Sequence, residues 1–198
     1  GALGFTVASA LIGTVLGSMI AGAPSDRYGR KAVLLVVAIC YVVSSLGTAL
    51  APEWYSLLAF RFLGGLAIGA ASVVTPVYIA EVAPTHVRGR LVALNQLNIV
   101  LGILLAFLSN YAISVIAPPE TAWRWMFGVV AIPSAVFLVV TLLLPDSPRW
   151  LVLRKREDEA RAVMARLGFP EPDADVVRMR QAAERDGAKE RPRLFQSA

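Results

Sequence analysis

Apolar residues fall in five long blocks: 2–22, 32–51, 57–80, 91–117 and 125–144, each about twenty residues or more with few or no charges. Twenty helical residues rise roughly 30 Å, the thickness of a bilayer's hydrocarbon core. One such block fits a buried helix of a soluble protein, but five in succession do not. The pattern predicts an all-α, polytopic membrane protein with five transmembrane helices. The blocks are separated by short polar segments dense in charge and turn residues. The first, GAPSDRYGRK at 22–31, packs Asp26, Arg27, Arg30 and Lys31 together with Gly22, Gly29 and a proline. Gly22 and Gly29 predict a tight turn, and Asp26 is expected at the start of the following helix, where a carboxylate favours the positive dipole end.

Charge adds an orientation. Cytoplasmic loops collect Lys and Arg. Segments 23–31 and 82–90 carry Arg27, Arg30, Lys31, Arg88 and Arg90, and the stretch after the last block carries Arg149, Arg154, Lys155 and Arg156. The alternate segments, 51–56 and 118–123, contain Glu53 and Glu120 and no Lys or Arg, with Arg124 at the border. The expectation is that loops 23–31 and 82–90 and the tail from 146 face the cytoplasm, in a plasma or cytoplasmic membrane. Trp54, Tyr55, Trp123, Trp125 and Trp150 fall at block ends, as interfacial aromatics do. Gly1 opens the sequence without Met, and the first block has neither a basic leader nor a cleavage pattern. The expectation is a fragment that begins inside or at the edge of a transmembrane helix.

Small residues predict how the helices pack. GTVLG at 13–17 and GLAIG at 65–69 are GxxxG steps that let backbones approach closely. Pro76 and Pro133 lie inside blocks and are expected to kink them.

The tail differs in kind. From Pro145 onward it is nearly balanced, with twelve Lys/Arg against ten Asp/Glu, so most of the net charge of +5 sits at the membrane loops. EDEARAVMARLG begins acidic, has Arg166 near its end and stops at Gly168, which reads as a short helix matched to its dipole. Residues 171–187 read as a second helix capped by Asp173 or Asp175, and 188–198 carry no clear signal. The division expected is a membrane bundle over 1–150 and a cytoplasmic helical linker over 151–198.

Composition also excludes chemistry. Cys40 is the only cysteine and His86 the only histidine, so neither a disulfide framework nor a histidine metal cluster is available. No cofactor motif, nucleophile–base pair or phosphate loop appears. No basic patch interleaved with aromatics points to nucleic acid.

Three acid–arginine clusters recur on one membrane face: Asp26 with Arg27 and Arg30, Glu81 with Arg88, and Asp146 with Arg149. A network that forms in one arrangement of helices and breaks in another is a latch. Here a family resemblance enters. GAPSDRYGRK resembles the G-x-x-x-D-R-x-G-R-[RK] loop of the major facilitator superfamily, EVAPTHVRGR its E-x6-R element, and PDSPRW its P-E-S-P-R element. With NQLNIVLG at 95–102, the set resembles the sugar porter family over nearly the whole chain. The resemblance implies a partial major facilitator fold, helices 2 to 6 of a twelve-helix transporter, with helix 1 and the C-terminal half missing. It implies an inner-face charge network at Gly22, Asp26, Arg27, Gly29, Arg30, Glu81, Arg88, Asp146 and Arg149 that holds the outward-open state. Asp146 departs from the pattern, being one methylene shorter than the usual Glu.

Polar residues inside spans usually face the protein interior. Gln96 is one, with Asn95 and Asn98 beside it. An amide donates and accepts at once, as a neutral polyol requires. Gln96, Ile99, Val100, Ile103 and Phe107 share a helix face, a polar hook on an apolar stripe. The resemblance implies that Gln96 binds sugar. Interhelical hydrogen bonding is the other reading. Arg61 is the other intramembrane charge. It either snorkels to the interface or, as the resemblance implies for proton-coupled members, pairs with an acid on helix 1. Thr75 and Tyr78 flank Pro76, where packing is the simpler role.

The expected function is secondary or facilitative transport of a sugar or polyol by alternating access, with a proton as a possible co-substrate and no cofactor. Its expected partners are the bilayer and the missing C-terminal half. The fragment alone is not expected to transport. Rival readings are a major facilitator for an organic acid or ion, and a non-transporting sugar sensor. A membrane enzyme is disfavoured.

Overall fold

The computed structural model describes residues 2–84 and 86–194. Thr85, inside the E-x6-R element, and Gly1 and 195–198 at the ends of the two expected divisions lie outside the described residues. The described chain is helical with no strand: α1 (Ala2–Ile20), α2 (Gly22–Tyr28), α3 (Arg30–Leu50), α4 (Trp54–Val82), α5 (Arg88–Ile116), α6 (Pro119–Val129), α7 (Ala131–Leu143), α8 (Pro148–Leu153), α9 (Glu157–Arg166) and α10 (Pro172–Leu194). By length and composition α3, α4, α5 and the α6–α7 pair are each sufficient to cross a membrane, and α1 with α2 makes a fifth, bent span.

Two of the breaks share a cause. The helix axis turns by 47° between α1 and α2, and Pro24 lies four residues beyond Ile20, the last residue of α1. Likewise α6 stops at Val129, four residues before Pro133. A proline ring clashes with the carbonyl four positions back and offers it no N–H. Pro76 behaves otherwise: it sits inside an unbroken α4, so the kink expected there does not divide the helix.

The segment expected as a turn at 23–31 is instead mostly the helix α2. The true break is at Gly29, whose φ of 96° favours glycine, while Gly22 is simply the first residue of α2. Asp26 therefore lies in the body of α2 rather than at the start of α3. The expected loop at 118–123 is also mostly helix, because Pro119 supplies a favourable first position for α6. Glu120 and Arg124 hide this start from an apolar-run reading.

Helix α4 is the hub, packing along α1 and α3, with α3 continuing onto α6 and α7. The α1–α4 contact depends on absent side chains. A β-carbon on Gly65 would collide with the carbonyl oxygen of Ala10, and one on Gly69 with that of Thr14. Gly13 and Gly17 meet Phe62 and Leu66 in the same way. Where lipid supplies no hydrophobic drive, such backbone approach is what joins helices.

Beyond α7 the tail forms its own small core of Leu151, Val152, Ala160, Met164 and Val176. Helix α9 ends as expected, with Gly168 at φ 77°. Helix α10 begins at Pro172, so Asp173 and Asp175 lie in its first turn rather than at the cap, and it extends past 187. The short α8 straddles the expected boundary at 150. Trp150 is half-buried and packs against this core, with its indole against Gly29.

Candidate functional site

At the end of the bundle where α2, α3, α4 and α8 meet, one arginine joins three segments. Gly29 separates α2 from α3, yet Asp26 and Arg30 remain four residues apart across the break. Arg30 Nη2 lies 2.9 Å from Asp26 Oδ1, and its Nε lies 3.0 Å from Glu81 Oε2. Its Nη1 donates to the carbonyl of Ser25 at 3.1 Å. Arg30 and Glu81 are both buried, with side chains 8% and 6% exposed. A buried pair must satisfy its remaining donors and acceptors to be tolerated, and Ser147 contributes by donating to Glu81 Oε2 at 2.5 Å. The same hydroxyl accepts from the Trp150 backbone N–H at 3.3 Å and caps α8. Three residues earlier on α4, the Tyr78 hydroxyl donates to the carbonyl of Pro145 at 2.8 Å. The end of α4 is thereby tied to the connection between α7 and α8. Tyr78 is buried and serves packing, in line with the simpler reading.

The other residues of the expected charge network are arranged differently. Arg27 stacks its guanidinium 5.4 Å from the Tyr28 ring centre, and its carbonyl accepts from Arg154. Among the described residues, Arg27, Arg88, Asp146 and Arg149 make no ion pair, and the reach of Arg88 is a 3.4 Å contact to the Ala83 carbonyl. Arg88 and Arg149 instead line a cavity of about 650 Å³ with Glu81, Phe169 and Arg178. Glu81 Oε1 is buried without a hydrogen-bond partner among the described residues. Gly22 lies at the bend between α1 and α2.

Helix α5 carries the expected sugar face. Gln96, Ile99, Val100, Ile103 and Phe107 are all exposed, and no residue of α5 is buried. Gln96 makes no hydrogen bond among the described residues, and Asn95 is the half-buried amide of the trio. The stripe from 96 to 107 runs about 16 Å along the helix axis.

Arg61 lies at the far end of α4. Its guanidinium stacks 5.0 Å from the Phe127 ring centre. It lines two cavities, one of about 420 Å³ with Thr6 and Trp54 and one of about 190 Å³ with Tyr41, Ser44, Thr48 and Ser134. Its Nε is buried with no hydrogen-bond partner among the described residues. It faces protein rather than extending freely. Among the described residues no group of His, Cys, Asp and Glu is placed to hold a metal.

Sequence reasoning missed Ser147, Tyr78 as an anchor, and Trp150 beneath Gly29. A signal existed for the first: Ser-Pro is an N-cap followed by a first-turn proline. The other two depend on contacts between distant segments.

A family model described as "Sugar (and other) transporter" matches residues 2–197. The D-xylose transporter of Levilactobacillus brevis is 45% identical over 161 residues, covering 81% of this chain and 35% of that protein. The D-xylose-proton symporter of Escherichia coli is 35% identical over 187 residues, 83% of this chain and 38% of that one. In three dimensions, the major facilitator superfamily proton:xylose symporter XylE bound to 6-bromo-6-deoxy-D-glucose matches with a TM-score of 0.89 at 32% identity, over 98% of this chain and 46% of its own. The chain thus spans less than half the length of these relatives. It belongs to the sugar (and other) transporter family of the major facilitator superfamily.

Proposed function

We propose that the full-length protein carries a sugar or polyol across the cytoplasmic membrane by alternating access, and that residues 1–150 are part of its N-terminal bundle and 151–198 a linker to the rest. The observation that carries this reading is the pattern of residues along one face of α5. A hydrogen-bonding amide at Gln96 heads an apolar stripe of Ile99, Val100 and Ile103, which suits the polar edge and apolar face of a sugar ring. Transporter sites of this superfamily lie near the bilayer midplane between repeats, and one bundle rocks against the other. Loops 23–31 and 82–90 and the tail from 146 then face the cytoplasm, as their basic residues favour.

No covalent step is needed. Transport requires only that the two states contact substrate and each other differently. The Asp26–Arg30–Glu81 cluster stabilises one end of the bundle. The exposed Arg88 and Arg149 offer charges to a facing surface in the outward-open state, with Gly22, Arg27, Gly29, Glu81 and Asp146 shaping the same end. Arg61, stacked but unpaired at its Nε, is suited to a carboxylate from outside this chain, and protonation of that acid would couple a proton to the sugar. The xylose–proton symport named for the Escherichia coli relative favours symport over facilitation.

The test is uptake of labelled D-xylose, D-glucose and polyols by vesicles containing the full-length protein, with and without an inward proton gradient. Saturable sugar uptake driven by the gradient is expected, and Arg61→Ala is expected to abolish the gradient's effect. Uptake of organic acids but no sugar would overturn the reading. Vesicles holding residues 1–198 alone are expected to show no saturable uptake.

A further inference from the structure

Helices α1 and α3 both pack on α4 and have at most marginal contact with each other. Between them runs a groove of about 590 Å³, within the roughly 300–1,000 Å³ typical of small-molecule sites. Its floor is Ala67 and Ala70 of α4. Ala21 and Tyr28 form one wall, and Val36 and Cys40 the other. The bend after Ile20 swings α2 outward to make the lower part of the first wall.

The lining selects the occupant. Apart from the Cys40 thiol and the Tyr28 hydroxyl, no side chain along the groove offers a hydrogen bond. A sugar lying there would leave its hydroxyls without partners, which disfavours it. A hydrocarbon chain suits such walls, because it restores the dispersion contacts that the small side chains leave unfilled. The length also fits. The groove-facing stretch from Ala32 to Cys40 rises about 12 Å, close to one leaflet of a hydrocarbon core roughly 30 Å thick.

The mouth carries the complementary charge. Tyr28 is 59% exposed there, with the Arg27 guanidinium over its ring. Neighbouring Arg30 is neutralised by Asp26 and Glu81, whereas Arg27 has no ion pair among the described residues. An uncompensated guanidinium beside a phenol hydroxyl at a membrane surface is suited to a phosphate. We propose that this groove holds one acyl chain of a membrane phospholipid, with the lipid's phosphate against Arg27 and Tyr28. The chain wedges α1 from α3 and supports the bend between α1 and α2. This assignment requires the chain to lie in a bilayer and is independent of what the protein transports.

The test uses the full-length protein in vesicles of phosphatidylethanolamine and phosphatidylglycerol. A fraction of the phosphatidylglycerol carries a photoreactive diazirine midway along one acyl chain. After irradiation, labelled peptides are identified by mass spectrometry. Peptides covering 32–40 and 63–70 are expected to label several-fold more than the exposed apolar face of α7 at Val136, Val139 and Leu143, which has no groove. Ala32→Trp, which fills the groove, and Arg27→Ala, which removes the phosphate contact, are each expected to lower groove labelling several-fold and leave α7 unchanged. Thermal melting identifies any variant that has lost its fold. Equal labelling of groove and α7 would mean ordinary surrounding lipid and would overturn the proposal. Groove labelling that persists undiminished in either folded variant would overturn it as well.

Discussion

Helices α4 and α5 have the same length, 29 residues, and similar apolar character, yet they are held in opposite ways. Helix α4 is the hub of the bundle, with Gly65 and Gly69 against the backbone of α1 and Gly64 against Ser44. Helix α5 buries nothing and touches its neighbours at its ends. A β-carbon added to its Gly102 would meet nothing within 4 Å. The contrast separates a helix packed within this chain from one whose every face is open in it. Helix α4 joins helices within the chain, and its charged end is locked by Arg30 and Ser147. On α5 the whole proposed sugar face is displayed outward. Polarity alone does not distinguish the two helices; what distinguishes them is where the small residues sit and what they touch.

The largest expected effect comes from breaking the lock. Glu81→Ala leaves Arg30 buried without its inner partner, and removing one member of a buried pair costs about 3–5 kcal/mol. The full-length protein in detergent is expected to melt well below wild type, and an unchanged melt would show the cluster to be solvated. Next come paired glycine substitutions that sharpen the comparison itself. Gly69→Ala forces a β-carbon into the Thr14 carbonyl, and such overpacking costs about 1–3 kcal/mol. Gly102→Ala meets open space within residues 1–198 and, on a melt of this chain, is expected to be neutral, or stabilising by up to about 1 kcal/mol through helix propensity. Equal melting shifts for the two would contradict the division between α4 and α5.

The smallest effect lies in the tail. Arg156 donates to both carboxylate oxygens of Glu159, at 2.7 and 2.6 Å. That hydrogen bonding is the chief cause holding the Glu159 carboxyl below its ordinary value. A depressed carboxylate stabilises the fold above its unfolded pKa, about 4.3, and loses that contribution as pH falls through the lower folded value. Protection of the α9 amides, taken relative to their intrinsic exchange at each pH, is expected to fall slightly below about pH 4 in wild type, and Glu159→Gln to lessen that pH dependence. Since the pair is exposed, the change is confined to the first turn of α9.

Much of this architecture was legible in the sequence, for physical reasons. A bilayer demands long apolar runs, so the five spans declare themselves, though their ends do not. The GxxxG steps marked both α1 and α4 for close backbone approach, because only absent side chains permit it, but not that the two helices meet each other. Asp26, Arg30 and Glu81 were identifiable as charges at helix ends on one face, and the structure brings those three together. Arg88, Asp146 and Arg149 carry the same signal but do not pair here, because pairing depends on side-chain direction and on neighbouring segments. Helix α2 was hidden because glycine and proline in one short stretch resemble a turn, whereas the break that Pro24 causes falls after Ile20 and the proline itself lies in the first turn of α2. The packing of Trp150 on Gly29 was not legible, because its position in the chain says nothing of a residue more than a hundred positions away.

The division of labour between α4 and α5 is tested most directly by one variant of the full-length protein, Gln96→Ala, with sugar binding and thermal melting measured on the same sample. Gln96 is exposed and makes no hydrogen bond among the described residues, so truncating it is expected to shift stability by no more than about 0.5 kcal/mol. Loss of a hydrogen bond to bound sugar is expected to weaken D-xylose binding roughly tenfold, about 1.4 kcal/mol. An unchanged melt with weakened binding is the predicted result. A lowered melt with unchanged sugar affinity would make Gln96 an interhelical packing residue and would remove α5 from the substrate site.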